Sequence, residues 1–128
     1  MPDLLEIGSA WLEEKRTAHL SRPVVYARGA ETVVVSASIG RTIFRIENAY
    51  GVQERHEARD YLVLAADILL GGAQALPKAG DRIREEEDGK VFVYEVMAPG
   101  GEPCWRYSDP YRRTLRIHTK HVGTEVNP

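Results

Sequence analysis

The residues of this chain that could do chemistry are two closely spaced histidines, a single cysteine, a run of acids and a strand rich in arginine and aromatic residues. His118 and His121 stand three positions apart. On a helix they would share a face, but the alternating pattern around them is that of a strand, so they point apart and cannot both ligate one ion. His56 sits among charged neighbours and reads as a solvated residue. His19 suits the C-terminal end of a helix, where the dipole favours a cation. Cys104 is the sole cysteine, which rules out an internal disulfide and fits a reducing compartment. No base lies near it in the sequence, so it reads as an inert small residue beside Trp105. Gly71-Gly72 and Gly100-Gly101 lack the spacing of phosphate-binding loops and read as turns. No metal, cofactor or catalytic set is expected, and the chain is not expected to be an enzyme.

Two charged constellations remain. Glu85, Glu86, Glu87 and Asp88 are consecutive and lead into a hairpin turn. Paired acids do acid–base work only where burial drives their pKa values apart. A run at a hairpin tip is read as a solvated edge that discourages stray strand pairing. Arg106, Arg112, Arg113, Arg116, His118 and Lys120 form a basic cluster interleaved with Trp105, Tyr107 and Tyr111. Such a mixture binds single-stranded nucleic acid by stacking and charge. It serves equally as a protein interface, where Tyr, Trp and Arg are the usual anchors. The formal net charge of −2 favours the interface. Asp81 follows Gly80 and is positioned to accept backbone N–H groups in a turn, a structural role.

These residues need a scaffold, and 128 residues suffice for one domain with one core. The 43% hydrophobic and 28% charged content is ordinary for a globular protein. No apolar stretch approaches the roughly 20 residues of a membrane span, and no basic-then-apolar leader opens the chain. Residues 1–20 read as a helix capped by Asp3 with Glu6 three positions on, carrying Leu4, Trp11 and Leu12 on one stripe. It would either cover the rest of the domain or dock on a neighbouring subunit. After Pro23 the period becomes two. Strands are expected at Val24–Arg28, Thr32–Ile39 and Thr42–Glu47, with Gly40 as a break and Asn48–Gly51 as a turn. Val52–Asp60 reads as irregular or strand-like, leading into Tyr61–Asp67. Leu69–Gly80 reads as a long interacting loop. A hairpin follows about Asp88-Gly89, its second strand at Val91–Met97 apolar on both sides. A loop at Ala98–Pro103, a short strand from Trp105 and a final strand over Arg112–Val122 complete the pattern. In that last strand Leu115, Ile117 and Thr119 point one way, and Arg116, His118 and Lys120 the other. The expected architecture is mainly β: a small antiparallel β-barrel or sandwich over residues 23–122, an N-terminal α-helix, long loops, and a frayed tail at 123–128.

The order of elements from Tyr61 to Thr119 resembles the head–tail joining proteins of tailed bacteriophages. The matching pieces are Gly80-Asp81-Arg82-Ile83 entering a strand, the Asp88-Gly89 turn, and Tyr94-Glu95-Val96 in the strand that leaves it. The resemblance implies a β-barrel subunit of the neck, copies of which form a ring, commonly a hexamer. Its partners would be the portal or adaptor protein on one side and a tail completion or tail tube protein on the other. DNA would pass through the channel without specific binding, and there would be no membrane partner. The protein would be made in the bacterial host cytoplasm and end in the virion neck. Trp11, Leu69, Pro77, Trp105, Arg106, Tyr107, Tyr111, Arg112 and Arg116 are the expected interface residues, with Glu85–Asp88 at a channel or subunit contact. The alternative is a small OB-like barrel that binds nucleic acid through the basic–aromatic strand.

Overall fold

β-branched and aromatic residues fall in short alternating runs along this chain, and those runs become the strands of an antiparallel sheet. A computed structural model describes residues 21–126. The strands are β1 (Arg22–Arg28), β2 (Glu31–Glu47), β3 (Gln53–Leu64), β4 (Leu69–Leu70), β5 (Ala73–Gln74), β6 (Arg82–Glu87), β7 (Lys90–Val96), β8 (Trp105–Tyr107) and β9 (Thr114–Val126), with one turn of 3-10 helix at Ala65–Asp67. The fold is thus mainly β and antiparallel, as expected. The helix expected over 1–20, and Trp11 with it, lies outside the described residues.

Strand pairing returns on itself. β1 pairs with β2 and β6, β2 with β3, β3 with β9, β9 with β7, and β7 with β6. β8 is added along β9 at Leu115–Ile117. Alternation then decides what lies inside. Val24, Tyr26, Val35, Ala37, Tyr61, Val63, Ile83, Leu115 and Ile117 are buried in one cluster, and Ile68 and Leu70 close it from the loop after β3. Trp105 and Tyr107 pack against the same cluster, their rings edge to face at 5.1 Å. Loop backbone groups are paired as well. The Ala65 amide donates to the Arg113 carbonyl at 2.8 Å, and the Ala75 amide to the Ile68 carbonyl at 3.0 Å.

Three expectations need correction, and one open alternative resolves to strand. Gly40 does not break a strand: β2 runs through it for 17 residues. Its role is space, because a Cβ there would lie 3.2 Å from Leu62 Cδ1 and 3.4 Å from the Arg116 guanidinium. Val52–Asp60 is regular strand from Gln53, paired residue for residue with β2 up to Asp60 opposite Gly40. Its polar composition reflects two solvent-facing sides. The long loop holds a small ladder, with Leu69 opposite Gln74 and Leu70 opposite Ala73. The tail is not frayed from residue 123, because Gly123–Val126 pair with Val93–Lys90. The register shifts between Val93 and Tyr94, leaving Val122 as the extra residue of a bulge.

A prediction follows from Gly40. Gly40→Val must displace either Leu62 or the anchored Arg116 guanidinium, and overpacking of this kind costs about 1–3 kcal/mol. Denaturant unfolding measures it, and a variant as stable as the parent would remove this account of the glycine.

β3 and β9 separate at one end. They pair from Leu64/Thr114 to Arg59/Thr119. Beyond that point β3 continues with β2 alone, from Ala58 to Gln53, while β9 turns to β7. The β2–β3 hairpin therefore projects as a two-stranded arm. Asn48 shapes its tip, its Oδ1 accepting from the amides of Tyr50 at 2.9 Å and Val52 at 3.1 Å. The loop at Gly100 passes close to one face of the arm, where a Cβ on Gly100 would lie 3.4 Å from Phe44 Cδ2 and 3.5 Å from Ile46 Cγ1, and the Phe44 ring stacks on His56.

Candidate functional site

The β3–β9 register sets Asp60 directly opposite His118. Both are buried, and their side chains meet with His118 Nδ1 donating to Asp60 Oδ1 at 2.8 Å. Arg116 Nη1 donates to Asp60 Oδ2 at 2.8 Å, and Thr42 Oγ1 donates to the same oxygen. Burial works against the carboxylate, but the bonds from His118, Thr42 and Arg116 outweigh it, so the Asp60 pKa lies below its ordinary value. Both carboxylate oxygens of Asp60 are engaged from within the chain. The constellation ties β2, β3 and β9 together where the arm begins.

Asp81 anchors a second network. Its carboxylate accepts from Arg28 Nε at 2.9 Å and Nη2 at 2.8 Å, from the Lys78 amide at 2.9 Å, and from the Tyr26 hydroxyl. Arg28 also donates to the Leu76 carbonyl at 2.7 Å, which pins the loop before β6. Burial is offset by the Arg28, Tyr26 and Lys78 bonds, so the Asp81 pKa is lowered, while burial and the bond to Asp81 raise that of Tyr26. The structural role expected for Asp81 holds, with partners on β1 that lie far off in sequence.

Glu85 departs from the acidic run to which it belongs. It is 1% exposed and faces inward beside Ile83, whereas Glu86, Glu87 and Asp88 are exposed. Its Oε2 meets Arg59 at 2.8 Å and Arg22 at 3.7 Å, and its buried Oε1 has no partner. The Arg59 guanidinium in turn lies over the rings of Tyr61 at 5.6 Å and Tyr94 at 5.0 Å. The solvated-edge reading of the run is therefore corrected at Glu85.

The basic–aromatic cluster is not assembled on one face. Period two turns Trp105 and Tyr107 toward the core and leaves Arg106 exposed between them. Arg116 is engaged by Asp60, and His118 is buried. Arg112 is exposed with a φ of 59°, in a loop that Asp109 organises by accepting from the amides of Tyr111, Arg113 and Thr114. Of the other expected interface residues, Leu69 is exposed beside exposed Leu76, Tyr111 is half-buried, and Pro77 is buried within the chain. His118 and His121 do point apart, His121 lying against Phe92 and Tyr94. The Cys104 thiol is half-buried toward the Pro77 carbonyl, and burial pushes its pKa up. Among the described residues no cluster of three or more His, Cys, Asp or Glu is placed to hold a metal. No helix among them is long and apolar enough to cross a membrane.

Two surfaces escaped the sequence reading. One is the arm, with Ile43, Tyr50 and Val52 exposed along it and Tyr50 91% exposed at its tip. An aromatic inside an Asn-Ala-Tyr-Gly turn was the available signal, since nothing in turn geometry asks for it. The other is a cleft of about 620 Å³ where β3 and β9 diverge, lined by Ile39, Arg41, Glu57, Arg59, Tyr94 and Lys120 among others.

Comparison with curated proteins yields no match. The model of one family, described as phage head-tail joining protein, matches residues 2–126. With nearly the whole chain covered, and an antiparallel β fold behind the match, this protein belongs to the phage head-tail joining protein family.

Proposed function

We propose that this chain is a structural protein of the neck of a tailed phage or prophage, where several copies, six being favoured, form a ring joining the DNA-filled head to the tail. Its partners are further copies of itself, the portal or adaptor protein on the head side, and a tail completion or tail tube protein on the other. DNA passes through the channel without specific binding. The protein is made in the host cytoplasm and ends in the virion. The returning circuit of strands supports reading the fold as a small barrel.

The observation that carries this reading beyond family membership is the β2–β3 arm. Its strands pair only with each other from Thr42/Ala58 to Glu47/Gln53, and it exposes Ile43, Tyr50 and Val52. An exposed aromatic and two β-branched residues on a projecting ribbon suit contact with another protein. The polar constellations, by contrast, tie strands to one another inside the fold, which favours a structural role over a catalytic one. The OB-like alternative needs aromatic and basic groups on one exposed face, and here Trp105 and Tyr107 turn inward while Arg116 is bound to Asp60.

Assembly of phage particles without this protein tests the reading. Electron microscopy is expected to show filled heads without tails, or heads that have lost their DNA, and added purified chain restores joining. Heads that take tails at the normal frequency without it would overturn the proposal.

A further inference from the structure

The cleft at the β3–β9 seam carries an excess of positive charge. Arg41, Arg59 and Lys120 line it with the His121 imidazole, against one acid, Glu57. Arg59 is held by Glu85 on one side, and Arg41 lies 3.6 Å from Glu57, which it shares with Arg55. Lys120 is exposed. Ile39, Ala58 and Tyr94 supply an apolar wall. Its volume of about 620 Å³ is enough to take several side chains.

A surface with an acidic excess lies at another seam. A groove at the β1–β6 seam is lined by Pro23, Val25, Val34 and three acids, Glu86, Glu87 and Asp88, against two arginines, Arg22 and Arg84. Glu86 and Glu87 end β6 and Asp88 opens the narrow β6–β7 turn, where Asp88 and Gly89 have φ of 52° and 76°; Val34, on the same groove, is 68% exposed. In the circuit β3-β2-β1-β6-β7-β9, the β1–β6 seam is three strands from the β3–β9 seam in either direction. The acidic turn and the basic cleft therefore belong to different seams, while Arg59 of the cleft and Arg22 of the groove both reach Glu85.

Resting on the ring reading above, we infer that the β3–β9 cleft seats the acidic β6–β7 turn of a second copy of this chain. Charge complementarity selects that occupant, because Glu87 and Asp88 meet Arg41 and Lys120 while Val34 adds apolar contact at the rim. Two different, complementary surfaces make a head-to-tail contact, the kind that repeats from copy to copy and closes into a ring. A duplex or single strand of DNA would also answer to the positive charge, but it leaves the matching acidic turn without a role.

The test is a reciprocal charge exchange in the full-length chain. One variant carries Glu87→Lys and Asp88→Lys, the other Arg41→Glu and Lys120→Glu. All four side chains are exposed, so both variants are expected to keep the parent circular dichroism and the second its unfolding midpoint, while Asp88→Lys, at a φ of 52°, lowers the midpoint of the first slightly. Each alone sets like charges against each other and is expected to lose self-association by roughly tenfold or more in sedimentation at low salt. An equal mixture pairs each reversed surface with its complement and is expected to restore it. Carbodiimide coupling of the parent chain is expected to join a Glu87 or Asp88 peptide to a Lys120 peptide between copies. Single variants that associate like the parent, a mixture that does not recover, or a parent that stays monomeric and uncoupled up to its solubility limit would each overturn the inference. So would binding of a DNA oligonucleotide that the Arg41→Glu, Lys120→Glu variant abolishes and the turn variant leaves intact. If the exchange fails while particles lacking the protein still fail to join tails, the cleft assignment falls and the neck role stands.

Discussion

Replacing Asp60 with alanine is expected to cost about 3–5 kcal/mol of folding stability, the usual loss when one member of a buried ion cluster is removed. The carboxylate is fully buried, His118 beside it is 1% exposed, and the Arg116 side chain is 22% exposed. Without the acid, His118 keeps a buried donor whose acceptor is gone, and Arg116 keeps only its longer contacts to the Arg41 carbonyl at 3.4 Å and Thr42 Oγ1 at 3.5 Å. Asp60→Asn keeps the volume and a carbonyl acceptor, so it is expected to fall between the parent and alanine. The same group sets an acid limit. The folded pKa is below the unfolded value of about 3.9. The stabilisation is therefore complete above that value and is lost as pH falls through the lower, folded pKa. Asp81 is shifted in the same direction and shares the window. Denaturant midpoints from neutral pH downward measure the effect: the parent weakens steeply in acid, and Asp60→Ala less so. A penalty below about 1 kcal/mol for Asp60→Ala at neutral pH would show that the cluster is not what fixes β2, β3 and β9 together.

That cluster also marks where reading residues alone runs out. The inward face of β9, with Leu115, Ile117 and Thr119, was legible from alternation, and all three are buried. The opposite face, with Arg116, His118 and Lys120, was read as part of an exposed basic cluster for binding. Only Lys120 behaves so, since Asp60 arrives 58 positions away to bury His118. A polar residue on the outer face of a strand looks the same whether water or a neighbouring strand's carboxylate satisfies it. Glu85 is the same case, indistinguishable from Glu86 until β6 is laid beside Arg59. Local signals did better where the cause is local. Asp88-Gly89 marks its turn because positive φ at both positions is a demand on the backbone itself. Gly40 misled because its lack of a Cβ serves a contact between strands rather than a turn. Trp105 and Tyr107 could have been separated from Arg106 by the same alternation applied to β9. Reading them as one cluster let residue type override period.

Trimming the arm should separate folding from assembly. Thr42 pairs with Ala58, so residues 43–57 can be replaced by Asn-Gly, which suits a two-residue hairpin turn. The pairs from Thr42/Ala58 inward, the β3–β9 ladder and the Asp60 cluster are all retained in this variant. It is expected to unfold cooperatively, with the Phe44 and Ile46 contacts to the Gly100 loop as its main loss. If the arm is the contact proposed for it, the trimmed protein fails to restore tail joining to particles that lack the native chain. Where the shortened hairpin disturbs folding, a full-length variant with Ile43→Ser, Tyr50→Ser and Val52→Ser asks the same question without moving the backbone. These three side chains are 43%, 91% and 58% exposed, so removing them should leave stability nearly unchanged. Joining is nevertheless expected to fall by roughly tenfold or more, since an aromatic anchor with apolar neighbours supplies most of the energy of a small interface. A folded trimmed variant that joins heads to tails as well as the parent would show that the arm reaches nothing, and the contact would have to be sought on the Leu69–Leu76 loop or at Arg106 and Arg112.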